Sequence, residues 1–107
     1  MRQIDVQTLH TLLGRPCTPD QPAPAVVDVR EVHEFATGHV PGAVNVPLTR
    51  FVDRVAEVTS LPGEVYVICE SGGRSAQVTA WLGQQGYDVA NVSGGTGAWR
   101  AAGFPVA

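Results

Sequence analysis

The stretch that decides the fold reads Val65-Tyr66-Val67-Ile68-Cys69-Glu70-Ser71-Gly72-Gly73-Arg74-Ser75, an apolar run followed by a short polar loop. The apolar run is typical of a buried β-strand, and the residues from about Ala76 to Gln85 have the pattern of a helix. The sequence therefore predicts a strand, a tight loop and a helix, with the thiol of Cys69 at the turn.

The loop contains the residue types that an anion-holding turn needs. Its two glycines, Gly72 and Gly73, permit backbone conformations that are unfavourable for other residues, so successive amide N–H groups can point toward one centre. That centre would lie at a helix N-terminus, where unpaired N–H groups and the helix dipole stabilise a thiolate or a bound oxyanion. Because the thiolate is the nucleophilic form of cysteine, we interpret Cys69 as a nucleophile. The alternative interpretation is a buried structural cysteine at a strand end.

Length and composition indicate a single globular domain over residues 1–107. A chain of this length can bury one hydrophobic core, and its 44% hydrophobic and 16% charged residues are unlike those of disordered or membrane proteins. The net charge is −3, and all seven basic residues are arginines scattered along the chain. These features argue against a nucleic-acid-binding function.

The two cysteines, Cys17 and Cys69, are too few for a disulfide framework and lack the spacing of a metal site. A disulfide between these two residues stays an alternative on the sequence alone. The first residues contain no apolar signal region, and no stretch approaches the length of a membrane span. We therefore expect a cytoplasmic protein, in a reducing compartment that suits a reactive thiol.

The chain before the first buried strand divides into a helix and an exposed connection. Asp5 is a suitable N-cap for a helix that ends at Gly14, and its apolar residues recur at helical spacing. The segment 15–24 that follows contains four prolines, which exclude a helix or a central strand. Cys17 lies in this segment, with no glycine-rich loop around it, and we interpret it as a bystander.

Strands alternate with helices along the rest of the chain. Further strands are predicted at Ala25–Val29, Ala43–Val46 and Tyr87–Val92, and further helices at Glu31–Thr37, at Leu48–Thr59 and after the glycine-rich segment Ser93–Trp99. The side chains predicted to face the core from the helices are Val32, Phe35, Phe51, Val52, Val55, Val58, Val78, Trp81 and Leu82.

Such alternation predicts an α/β fold with a parallel sheet and helices on both of its faces. In parallel sheets of this kind, ligands bind beyond the carboxyl ends of the strands. Asp28 and Cys69 both lie at predicted carboxyl ends, so we expect them at the same edge of the sheet. An aspartate in this position most often accepts hydrogen bonds from nearby backbone N–H groups.

Two motifs make the chain similar to rhodanese-like domains. The string Asp28-Val29-Arg30-Glu31, followed by Glu34-Phe35 and then Gly38-His39-Val40-Pro41-Gly42-Ala43-Val44-Asn45-Val46-Pro47, resembles their opening signature. The Cys69 loop resembles their active-site loop, and Ser93 to Trp99 resembles the glycine-rich segment that ends them. The resemblance covers nearly the whole chain, and it implies a five-stranded, mostly parallel sheet and sulfurtransferase activity.

The resemblance also implies a role for each loop residue. Cys69 would carry a sulfane sulfur as a persulfide, and the backbone N–H groups from Glu70 to Ser75, through Ser71, Gly72, Gly73 and Arg74, would bind the substrate sulfur and the leaving anion. Arg74 would bind sulfonate-like oxygens or pair with Asp28, and Ser75 would act as a cap or a hydrogen-bond donor. We interpret Asp28 and Arg30 as structural residues that surround the site, with tuning of the site as the alternative. No metal or organic cofactor is implied.

Glu70 departs from the commonest family pattern, in which the residue after the cysteine is basic or neutral. Its carboxylate would repel a dianion such as thiosulfate, so we expect weak use of thiosulfate and better use of a less charged persulfide. The expected substrates are a small sulfur donor and a thiol or cyanide acceptor, and a partner protein can serve as donor or acceptor.

Two other functions compete with sulfur transfer. One is a non-catalytic, regulatory protein-interaction module, although retention of the cysteine favours activity. The other is a phosphatase, because Cdc25-like phosphatases share this fold and also combine a cysteine, a backbone loop and an arginine. Their loop has one more residue than the four that separate Cys69 from Arg74, and the smaller ring here suits sulfur rather than phosphate.

Overall fold

The computed structural model describes residues 1–107 and has a five-stranded sheet at its centre. The strands, in chain order, are β1 (Arg2–Ile4), β2 (Ala25–Asp28), β3 (Val44–Asn45), β4 (Val65–Ile68) and β5 (Val89–Val92). They lie side by side in the order β1-β5-β4-β2-β3, and every pair of neighbours is parallel. The predicted α/β class with a five-stranded parallel sheet is therefore confirmed.

Five α-helices and one 3₁₀ turn connect the strands. The helices are α1 (Val6–Leu13), α2 (Val32–Ala36), α3 (Val55–Thr59), α4 (Gly73–Gln84) and α5 (Gly95–Ala101), and the 3₁₀ turn is Leu48–Arg50. The first helix begins as predicted, because the Asp5 carboxylate accepts the Thr8 N–H at 2.8 Å, and Gly14 ends it. None of the helices has the length and hydropathy needed to cross a membrane.

The core has two layers, one on each face of the sheet. Alternate residues of β4 point to opposite faces, so Val65 and Val67 belong to one apolar cluster while Tyr66 and Ile68 belong to the other. The first cluster packs against α3 and α4, and the second packs against α1 and α5. Because β4 is fully buried on both faces, it reads in the sequence as an unbroken apolar run.

Aromatic side chains fix α5 against α1. Trp99 is buried, and its indole N–H donates to the Pro105 carbonyl at 2.7 Å. The His10 ring of α1 stacks on Phe104 with ring centroids 4.0 Å apart and meets the Trp99 ring at 5.6 Å. These contacts place α5 firmly on the face of the sheet, with its first turn at the edge where Cys69 lies.

Several element boundaries differ from the prediction. The sequence did not predict β1, whose first two residues are exposed. The helix after the Cys69 loop begins at Gly73 rather than near Ala76, so it includes Arg74 and Ser75. The last strand begins at Val89 rather than at Tyr87, because the Tyr87 side chain lies outside the sheet and is 45% exposed.

The continuous helix predicted over Leu48–Thr59 is wrong. The chain instead forms the 3₁₀ helix, a hydrogen-bonded turn over residues 51–54 and the short α3. Arg54 leaves the helical region at φ −112° and ψ 13°, and its guanidinium donates to the Asn45 carbonyl at 3.2 Å. The interruption lets Phe51 enter the core while Val52 points outward and is 70% exposed, contrary to the prediction.

Two other predicted core residues lie at the surface. Val32 in α2 is 65% exposed, because this helix turns Glu34 rather than Val32 toward the neighbouring loop. Trp81 in α4 is 36% exposed and meets the Phe51 ring edge-on at 6.3 Å. The α2 helix has no fully buried residue, whereas α4 reaches the core through Val78 and Leu82 and leaves Trp81 partly exposed beside them.

The proline-rich connection from 15 to 24 is exposed, as predicted, apart from Pro24, which is half-buried. Thr18 and Gln21 form an isolated antiparallel bridge within it. Cys17 is an exposed free thiol and Cys69 a buried one, so the two are not paired with each other.

Candidate active site

Cys69 follows β4 directly, at the carboxyl edge of the sheet. Its neighbour across the β2–β4 pairing is the end of β2, where Asp28 is aligned with Ile68. Asp28 and Cys69 therefore lie at the same edge, as the alternation of strands and helices predicts. The Cys69 side chain is buried, with 1% of the residue exposed.

Two hydrogen-bond donors converge on the Cys69 sulfur. The Gly72 amide lies 3.1 Å from Sγ, and the Ser75 hydroxyl lies 3.3 Å from it. Gly72 has φ +106°, a conformation that residues with a side chain rarely adopt. In this conformation the Gly72 N–H points toward the Cys69 sulfur. Gly73 does not need this freedom; it is the first residue of α4 and has open space where a side chain would be.

These surroundings shift the acidity of the Cys69 thiol. Burial raises the pKa of the thiol, whereas the hydroxyl and amide of Ser75 and the amides of Gly72 and Ser71 favour the thiolate. The donors outweigh burial, so the pKa lies below the ordinary thiol value. A larger thiolate fraction at neutral pH follows.

We expect Ser75→Ala to raise the pKa of Cys69, because the substitution removes a donor to the thiolate and leaves burial unchanged. The measurement is the rate of iodoacetamide alkylation as a function of pH in a Cys17→Ser background. The rate should rise with pH at a midpoint below the free-thiol range in the parent protein and at a higher midpoint in the variant.

Ser71→Ala is the matched control, since Ser71 is exposed and its hydroxyl makes no hydrogen bond to the sulfur. Its alkylation midpoint should stay at the parent value. Equal midpoints for the Ser75 variant and the parent would contradict the role given to the Ser75 hydroxyl.

Arg74 pairs with Glu34 and not with Asp28, which corrects the prediction. Its two terminal nitrogens lie 2.7 and 2.9 Å from the two Glu34 carboxylate oxygens. The Arg74 hydrogen bonds lower the pKa of Glu34 to about 2, and Glu34 in turn raises the pKa of Arg74. The Asp28 carboxylate is unavailable to Arg74 because Arg30 occupies it.

Asp28 and Arg30 form a buried ion pair beneath the loop. The guanidinium of Arg30 donates to both Asp28 oxygens, at 3.1 and 2.9 Å, and its backbone N–H donates to the same carboxylate at 3.0 Å. Arg30 also donates to the Gly38 carbonyl at 2.9 Å. Both side chains are enclosed, so the pair ties β2 to the segment after α2 and has no direct route to a substrate.

Glu70 has two cationic partners that sequence reasoning missed. Arg100 of α5 donates to its two carboxylate oxygens at 2.8 and 3.1 Å, and Arg30 approaches one of them at 3.4 Å. The hydrogen bonds from Arg100 lower the pKa of Glu70. Arg100 lies thirty residues from Glu70, so no local pattern indicates the pair.

The first turn of α5 packs directly on the Cys69 loop. The Thr96 N–H donates to the Cys69 carbonyl at 2.8 Å, and the Gly97 N–H donates to the Glu70 carbonyl at 2.9 Å. Gly95 approaches so closely that an added Cβ would lie 2.5 Å from the Cys69 carbonyl oxygen. The glycine-rich segment Ser93–Trp99 therefore supports the Cys69 loop through its backbone N–H groups.

No cluster of three or more histidine, cysteine or acidic side chains that could hold a metal ion is present.

His39, in the turn before β3, stacks on Phe35 with ring centroids 3.6 Å apart. Its Nδ1 is 2.9 Å from the Phe35 carbonyl, so this nitrogen is engaged within the turn.

Comparison with known protein families identifies the family of this chain. The family model for the rhodanese-like domain matches residues 6–102. The chain belongs to the rhodanese-like domain family. The predicted resemblance is thereby confirmed.

Two relatives match this chain over very different shares of their own length. A sulfurtransferase of Allochromatium vinosum is 35% identical over 107 residues, which cover 99% of this chain and 94% of that protein. The chloroplastic rhodanese-like/PpiC domain-containing protein 12 of Arabidopsis thaliana is 34% identical over 103 residues, or 92% of this chain. The match spans 34% of the Arabidopsis protein, so the chain corresponds to about a third of that relative.

A solved structure has the same fold. The rhodanese-related protein from Thermoplasma volcanium superposes with a TM-score of 0.86 at 28% identity, covering 100% of this chain and 98% of that one. The rhodanese-like architecture therefore extends from β1 through α5.

Proposed function

We propose that the protein is a sulfurtransferase that carries a sulfane sulfur on Cys69 as a persulfide. The observation that carries this proposal is the pair of donors at 3.1 and 3.3 Å from Sγ, which favour the thiolate at the end of a buried strand. The family and the sulfurtransferase name of the Allochromatium relative support it.

The proposed reaction has two steps that pass through a covalent intermediate. In the first, the Cys69 thiolate attacks the outer sulfur of the donor; an S–S bond forms at Sγ, the donor's S–S bond breaks, and its electron pair leaves with sulfite or a thiolate. In the second, an acceptor thiolate or cyanide attacks the outer sulfur of the persulfide, and the electron pair returns to Cys69. Such covalent transfer predicts ping-pong kinetics.

The loop supplies fixed hydrogen-bond donors for both steps. Gly72 N–H and Ser75 O–H face the sulfur that gains and loses negative charge, and donors already oriented for that charge need no reorganisation. Burial of Cys69 limits the contact of Sγ with solvent. Arg74, bound to Glu34, is proposed to orient the loop and to contact the oxygens of an anionic donor from its exposed side.

The charges around the loop bear on the donor class. The three arginines in the ion pairs of this edge, Arg30, Arg74 and Arg100, each have a carboxylate partner. A dianion therefore gains less here than it would from unpaired arginines. We expect a persulfide with one charge to load Cys69 faster than thiosulfate does.

Intact-mass measurement tests the proposal. The protein is incubated separately with thiosulfate and with a low-molecular-weight alkyl persulfide, and the expected product in each case gains the mass of one sulfur atom. Addition of cyanide should remove that mass and release thiocyanate. Cys17→Ser should load as the parent does, which assigns the added sulfur to Cys69.

Absence of any added sulfur from both donors, in a protein whose circular dichroism shows an intact fold, would contradict catalysis and favour the interaction-module alternative. Hydrolysis of an aryl phosphate in place of sulfur loading would instead favour the phosphatase alternative.

A further inference from the structure

The carboxylate next to the nucleophile is held by the last helix. Glu70 is 42% exposed and Arg100 is 40% exposed, yet the guanidinium fork engages both carboxylate oxygens within 3.1 Å. A bidentate pair of this geometry is stronger and more specific than a single surface contact. It lies directly beside the residue that would carry the transferred sulfur.

The position of Arg100 is set by the packing of α5 on the loop. Gly97 N–H binds the Glu70 carbonyl, and Arg100 lies one turn later on the same side of the helix. An added Cβ on Gly97 would lie 3.1 Å from a Glu70 carboxylate oxygen. The backbone of α5 therefore also confines the Glu70 side chain. Arg100 is therefore poised to balance the Glu70 charge whenever the loop is formed.

The balance of charge has a consequence for anionic reactants. Glu70 alone would repel an anion approaching Cys69, as expected from the sequence, whereas the paired Glu70 and Arg100 present no net charge. Removing Arg100 leaves only the contact with Arg30 at 3.4 Å, and that arginine is already bound to Asp28. The charge of Glu70 would then act on the site.

We propose that Arg100 is a specificity-determining residue of the Cys69 site, where it cancels the charge of Glu70 and so keeps the site open to anionic sulfur donors. The substrate part of this inference rests on the proposed sulfurtransferase function. The electrostatic part concerns the Cys69 thiol itself and is measurable without sulfur transfer.

The test compares two alkylating agents of similar size and different charge in a Cys17→Ser background, so that only Cys69 reacts. The readout is the ratio of the alkylation rates with iodoacetate, an anion, and iodoacetamide, which is neutral. For unit charges roughly 7 Å apart in water, Arg100→Ala should lower this ratio by about twofold to threefold at low ionic strength. Added salt should reduce the effect.

A double variant separates charge balance from a merely structural role. Glu70→Gln should raise the ratio, and Glu70→Gln combined with Arg100→Ala should restore it to the parent value, because both charges are then absent. If Arg100 only held the loop in place, the double variant would stay as low as Arg100→Ala. Either that result or an unchanged ratio in Arg100→Ala would overturn the inference.

Arg2→Ala is the matched control, since Arg2 pairs with Asp88 at 2.9 Å. This pair lies at the amino end of β1, whereas Cys69 lies at the carboxyl ends of the strands. Its ratio should equal that of the parent. A parallel arm measures sulfur loading, where thiosulfate carries two charges and Arg100→Ala should slow it about fivefold to tenfold at low salt. If the alkylation ratios follow the prediction and no variant takes up sulfur, the electrostatic role of Arg100 at Cys69 stands, whereas the proposed function and the substrate part of this inference fail.

Discussion

Replacement of Cys69 by serine is expected to abolish persulfide formation and sulfur transfer while leaving the fold intact. A serine hydroxyl is a far weaker nucleophile toward sulfur and remains protonated at neutral pH, so the rate should fall by more than about a thousandfold. The two side chains are similar in volume, and the buried hydroxyl would meet the same two donors, Gly72 and Ser75. We expect the free energy of unfolding to change by less than about 2 kcal/mol.

Turnover with an alkyl persulfide, intact mass and thermal denaturation together measure this outcome. Cys17→Ser is the control, because Cys17 is exposed in the proline-rich connection and has no part in the proposed mechanism. It should retain the parent rate. Appreciable turnover by the Cys69 variant, or loss of activity in the Cys17 variant alone, would refute the assignment of the nucleophile.

The elements that the sequence predicted well are those with a strong local signal. The first helix has regular apolar spacing and a capping carboxylate at Asp5, and β4 is an apolar run because both of its faces are covered. The strand, loop and helix around Cys69 were likewise predictable, since the glycines mark the turn. Local periodicity is sufficient where one element buries a whole face.

The first strand was missed because its identity depends on a partner far along the chain. Residues 2–4 include one half-buried apolar side chain, and they are a strand only because they pair with Ala90, Asn91 and Val92 of β5. A short edge strand with exposed polar residues carries no alternation that a pattern search detects. The segment from Leu48 to Thr59 shows the reverse case, in which apparent helical spacing gave way to tertiary contacts of Phe51 and Arg54.

The ion pairs of the site could not be predicted for the same reason. Glu34 and Arg74 are forty residues apart, and Glu70 and Arg100 are thirty residues apart. The sequence did contain one signal, because an acidic residue next to a thiolate is stabilised by a nearby cation. Only the packing of α5 on the loop identifies which arginine supplies it.

Gly95→Ala should strongly lower the free energy of unfolding, because this glycine combines a left-handed backbone with direct contact to the Cys69 carbonyl. Its φ is +59°, and an added Cβ would lie 2.5 Å from the Cys69 carbonyl oxygen and 2.6 Å from the Glu70 carbonyl carbon. Backbone strain of about 1–2 kcal/mol and displacement of the loop at about 1–3 kcal/mol predict a loss of roughly 2–5 kcal/mol in the free energy of unfolding.

The two contributions can be separated by a matched glycine. Gly86 also has a positive φ, +90°, but has open space where a Cβ would be, so Gly86→Ala should lose only the backbone part, about 1–2 kcal/mol. Urea denaturation gives both free energies of unfolding, and the pH dependence of alkylation reports whether the Cys69 loop still favours the thiolate. Because the overlap displaces the loop, the Gly95 variant should show a raised Cys69 midpoint, whereas the Gly86 variant should keep the parent midpoint. Equal destabilisation by the two substitutions, with the midpoint unchanged in both, would mean that α5 does not hold the nucleophile in place.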